Sequence, residues 1–174
     1  MLAATACCAQ AAPDAQFVPA FQSFLRASEG QDAALASALA GFEALSRAEP
    51  ASPVLLAYRG AATAMQARST YLPWRKMAYA EDGLALLDKA LAMLQPAHDA
   101  PGQQQVPAVL DVKLVAANTF LALPAMMNRR DRGVKLLGEV ARSPLLPSAP
   151  PAFQETVRKA LDKARLAPDG RPRT

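Results

Sequence analysis

The residue types that perform chemistry are few in this chain, and their spacing does not assemble them. His98 is the single histidine. It lies in a polar stretch without clustered Cys, Asp or Glu, so it lacks the ligand set a metal ion needs. Glu81 and Asp82 are neighbours, and neighbours on a helix point to different parts of its surface, so they cannot face each other as an acid–base pair. Cys7 and Cys8 have no histidine placed to activate a thiol. Gly133 and Gly138 fall inside a helical apolar stripe and not in a glycine-rich loop after a strand, so they read as packing positions. No catalysis, no cofactor and no metal is expected.

What remains are side chains suited to contact. Tyr71, Trp74, Arg75, Lys76 and Tyr79 mix aromatic rings with cations, the composition of an interface anchor. Met126, Met127, Asn128, Arg129 and Arg130 set flexible thioethers beside arginines, which suits an adaptable contact.

The elements that must hold these groups are helices. The chain of 174 residues is 52% hydrophobic but only 6% aromatic, and alanine and leucine, strong helix formers, dominate its apolar content. Its 15 prolines fall mainly between the apolar-periodic segments, where they start and stop helices. The longest pattern covers residues 73–95, opened by Pro73 and closed by Pro96. Within it Trp74, Met77, Leu84, Leu87, Leu91 and Leu94 recur at spacings of three, four and seven, the stripe of one buried face. Shorter helices are expected over residues 16–29, with Gly30 as the stop, and after Asp32 as cap through Leu35, Leu39, Phe42 and Leu45. Ser52 caps a third helix that has Pro53 in its first turn and runs to about Arg68. Residues 96–105 read as a mobile polar loop. Pro107 opens a helix through Leu110, Leu114 and Leu121, and Asp131 caps one through Val134, Leu137 and Val140. Residues 144–151 read as a proline-rich linker before a last helix over 152–166.

Net charge is +4, distributed as an acidic front in residues 1–50 and basic segments in 128–142 and 151–174. There is no dense basic stripe with interleaved aromatics, so nucleic acid is not an expected partner. No window is long and apolar enough for a transmembrane segment. Residues 1–11 are uncharged and end in Ala9-Gln10-Ala11, a small-x-small pattern. They read as the remnant of a signal peptide, which predicts export to the periplasm, with a cytoplasmic protein as the alternative. Residues 12–166 form one domain, and residues 167–174 a frayed tail.

Setting Gly83 on Gly133 aligns Asp82-Gly83-Leu84-Ala85-Leu86-Leu87 with Arg132-Gly133-Val134-Lys135-Leu136-Leu137. Setting Ala38 on Gly83 places Phe42 on Leu87. A small residue thus precedes a large apolar one by four, as where two helices cross closely. This resembles the second helix of tetratricopeptide repeats, and Gly60 is similar to the small residue of their first helix. The glycines lie farther apart than the usual period of about 34 residues. The resemblance implies an all-α fold of antiparallel hairpins, about seven helices in a short right-handed solenoid. It implies a concave face lined by first helices, with Tyr58, Arg59, Thr63, Lys113 and Asn118 as groove residues. The expected function is a non-enzymatic adaptor that binds another protein or peptide. The alternatives are an accessory subunit of a cell-envelope complex, a self-associating protein, or a small-molecule binder.

Overall fold

The computed structural model describes residues 14–165. The expectations for the signal remnant, Cys7, Cys8 and the 167–174 tail lie outside the described residues. Among the described residues the chain is all-α: α1 (Asp14–Ser28), α2 (Ala33–Ala48), α3 (Pro53–Met65), α4 (Pro73–Ala92), α5 (Ala108–Ala122), α6 (Arg130–Ala141) and α7 (Pro151–Arg165). The only β pairing among them is an isolated bridge between Pro101 and Pro107.

The helices pair in order. α1 packs on α2, α3 on α4 and α5 on α6, while α3 also contacts α1, α2 and α5 and so sits at the centre. α7 closes the array against α6 and α5. Each pair crosses at a glycine of its second helix. A Cβ on Gly41 would lie 2.7 Å from the Ala20 Cβ, one on Gly83 would lie 2.6 Å from both the Ala64 nitrogen and the Gly60 carbonyl oxygen, and one on Gly133 would lie 2.9 Å from Leu121 Cγ. No side chain fits at these points, so the backbones approach more closely than ordinary ridge-and-groove packing allows. In α2 the close contact falls on Gly41. Ala38, the residue matched to Gly83 in the sequence, is buried one turn earlier.

The core between α1, α2 and α3 is aromatic. The Tyr58 ring stacks on Phe42 with centroids 5.0 Å apart, and Phe24 meets Tyr58 edge-on at 5.1 Å. Phe17 adds edge contacts to both Phe42 and Tyr58. Toward α5 and α6 the core turns aliphatic, with Leu110, Val112, Leu137 and Val140 fully buried beside Phe120. Burying each of these large side chains contributes roughly 1.5–3 kcal/mol.

Several local signals act as expected. The Ser52 side chain accepts from the Leu55 amide with Pro53 in the first turn, and Gly30 takes a φ of +98° after α1. Others do not. Asp32 precedes α2 without a side-chain cap bond, because its backbone is helical and its carboxylate is not turned back toward the amides. Arg129, not Asp131, stands at the cap position of α6, and Asp131 falls in the first turn. Asn128 just before it takes the left-handed conformation (φ 51°) that Asn tolerates. The stretch read as a mobile loop holds two 3-10 turns, Pro96–Asp99 and Gln103–Gln105. In the first, His98 Nδ1 accepts from the Gln95 amide at 2.8 Å. The second packs on α1 and buries Gln103.

The largest departure is the start of α4. Trp74 is 67% exposed and Met77 36%, while the stripe is buried only from Ala80 onward. The reason is length. From the crossing at Gly83, α4 extends ten residues back to Pro73, about 15 Å at 1.5 Å per residue. α3 extends from Ala64 only to Met65 before a 3-10 turn. Among the described residues the first turns of α4 therefore lie beyond the end of α3, with only the 3-10 turn Gln66–Arg68 packed on α4 there.

Candidate interaction surface

At this end of α4 every residue from 71 to 78 is exposed, and Tyr79 is half-buried. Tyr71 is 97% exposed, the most open large apolar side chain of the described residues. The sequence-predicted group Trp74, Arg75, Lys76 and Tyr79 thus lies on one projecting helix start. One further exposed apolar residue, Leu25, lies near the end of α1. That end sits against the turn after α3, where Arg68 donates to the Ala27 carbonyl at 2.8 Å. Exposed large apolar groups gathered at one place mark contact surfaces more reliably than the same groups scattered singly.

The expected groove residues divide. Tyr58 is a core residue: its hydroxyl donates to Asp111 Oδ1 at 2.8 Å inside the α3–α5 contact, so it is not available to a partner. This corrects its assignment to a groove. The reason is that helical register turns Tyr58 toward the Phe17, Phe24 and Phe42 rings. Arg59 and Thr63 sit one turn apart on the half-open side of α3, where the Thr63 hydroxyl donates to the Arg59 carbonyl. Asn118 is exposed on α5. Lys113 pairs with Glu139 at 2.8 Å and ties α5 to α6.

Arg129 and Arg132 both reach the Asp88 carboxylate, Arg129 at 3.5 Å. Their guanidinium groups lie 5.9 and 5.1 Å from the Phe120 ring centroid. This cluster bridges α4 to α6, so Arg129 is engaged within the fold. Arg130 reaches across to the Ala164 carbonyl on α7. Between α4 and α6 lies an open cleft of about 520 Å³, lined by Leu91, Leu94, Val109 and Leu136 with Lys113 and Arg132 beside them. Both cations are held by the ion pairs just described.

Asp111, Asp88 and Glu139 escape a reading of the sequence. For Asp111 a signal exists: a carboxylate stands between Leu110 and Val112, in the apolar register of α5. Burial lifts its pKa from the ordinary 3.8 to about 6, and the Tyr58 hydrogen bond works against that rise. Burial also raises the Tyr58 hydroxyl well above its ordinary value, with Asp111 adding to the effect. Among the described residues no three His, Cys, Asp or Glu side chains come together as a metal site. None of the described helices is long and apolar enough to cross a membrane. Comparison with protein-family models, with curated proteins and with solved structures finds no match to this chain.

Proposed function

We propose that this chain is a non-enzymatic, tetratricopeptide-like interaction module that holds another protein or peptide on the face formed by its first helices. The observation that carries the reading is the stacking of α3 on both α1 and α5, with Arg59, Thr63 and Asn118 left partly or fully open along it. Successive hairpins that cross at Gly41, Gly83 and Gly133 support the repeat character. Their separations of 42 and 50 residues depart from the usual period of about 34, and the long overhang of α4 and the folded 96–105 segment account for extra length. The sequence pattern at Ala9-Gln10-Ala11 supports export, and a periplasmic location is part of the proposal.

A second reading, an accessory subunit of an envelope complex, is favoured by the exposed start of α4. Photo-crosslinking separates the two. A crosslinker at Asn118 should capture a discrete polypeptide that one at exposed Ala85 on α4 does not. Equal adducts from both positions, or none from Asn118, would remove the first-helix face as the binding surface.

A further inference from the structure

We propose that the free start of α4 is a lipid-surface contact, in which Tyr71, Leu72, Trp74 and Met77 seat in the interfacial layer of a bilayer while Arg75 and Lys76 lie against anionic headgroups. The proposal does not rest on the adaptor reading, because the first-helix face takes no part in it.

Shape argues first. Residues 71–78 are all exposed, with only the 3-10 turn Gln66–Arg68 packed on α4 beside them, so this is an open surface and not a cleft. A peptide or small ligand needs a concavity that covers it, whereas an open surface suits a soft apolar layer. Residue type argues second. Trp and Tyr favour the boundary between water and hydrocarbon, where a ring is buried and a polar edge stays wet. Charge argues third. Residues 66–80 contain Arg68, Arg75 and Lys76 and no carboxylate. Cations beside interfacial aromatics are what an anionic leaflet attracts. Glu81 and Asp82 come next on α4 but lie nearer the crossing at Gly83. Glu29 and Asp32 in the α1–α2 turn, near the Ala27 carbonyl that Arg68 reaches, disfavour a flat approach of this whole end. Contact is therefore confined to the tip of α4, with the chain lying on the membrane and not across it.

Trp74 is the only tryptophan of the chain, so its emission reports directly on the site. The full chain is titrated with vesicles of phosphatidylglycerol and phosphatidylcholine, and with phosphatidylcholine alone. Co-sedimentation and Trp74 emission are followed together. The expected result is binding with a blue shift on the anionic vesicles, weakened as salt shortens electrostatic reach. Removing both charges with Arg75→Gln and Lys76→Gln should weaken binding about thirtyfold, and Trp74→Ala should reduce sedimentation further. These positions are exposed, and unchanged circular dichroism and unfolding midpoints verify that the variants fold. Absence of anionic binding would overturn the proposal, as would binding indifferent to the Trp74 or the paired charge substitutions. So would a blue shift that tracks protein concentration without lipid, which would make a second copy the occupant.

Discussion

Asp111→Asn tests whether the contact between α3 and α5 is built on a buried ionisable pair. Asp111 is lifted from 3.8 to about 6 chiefly by burial, so the folded state holds its proton more tightly than the unfolded chain does. Well below pH 4 both states are protonated and the group's contribution to stability is fully present. As pH rises toward 6 the unfolded chain ionises first, and stability falls. The loss is complete above about pH 6, and a shift of about two pH units corresponds to about 3 kcal/mol.

The side-chain amide introduced at position 111 can still accept from the Tyr58 hydroxyl but cannot ionise. Any fixed effect of its NH2 group is the same at every pH. The variant-minus-wild-type stability difference should therefore change by roughly 2–3 kcal/mol between pH 4 and pH 7, in favour of the variant at the higher pH. Urea unfolding followed by circular dichroism at intervals across that range measures it, with an unchanged m value showing that the same surface is exposed. A difference that stays flat with pH, or moves against the variant as pH rises, would refute the reasoning from desolvation.

Tyr58→Phe removes the hydroxyl that opposes the rise at Asp111. It should lower stability by about 1–3 kcal/mol, more at pH 7 than at pH 4, and carry the pH-dependent loss above pH 6. Carbon NMR of the Asp111 carboxyl group measures that displacement. Gly83→Ala places a methyl 2.6 Å from backbone atoms of Gly60 and Ala64, so α3 and α4 must separate. Overpacking of about 3 kcal/mol outweighs a helix-propensity gain of about 1 kcal/mol, for a net loss of about 2 kcal/mol in chemical denaturation. Gly138→Ala is the control: the nearest neighbour of its methyl is the flexible end of the Arg142 side chain, and a gain of up to about 1 kcal/mol is expected. Equal effects at the two glycines would show that the crossing is not what Gly83 serves.

The all-α class and several helix ends were legible because they depend on local chemistry. Ser52-Pro53, Gly30 and the alanine–leucine runs act on their own backbone, whatever packs beside them. Tyr58 and Asp111 were not legible as a pair because 53 residues separate them, and only the packing of α3 on α5 brings them within hydrogen-bond reach. The exposure of Trp74 was hidden for a related reason. Periodicity states which side of α4 an apolar residue occupies, but burial also requires a neighbour at the same height. Trp74 is ten positions before Leu84 in the stripe, and at roughly 100° per residue that turns it about 80° away from Leu84. By that height α3 has already ended. An aromatic residue that continues a core pattern past the end of its partner helix is left without a core. The same sequence feature thus produces an α3–α4 contact at Gly83 and, nearer the start of the helix, an apolar surface that the other described helices leave open.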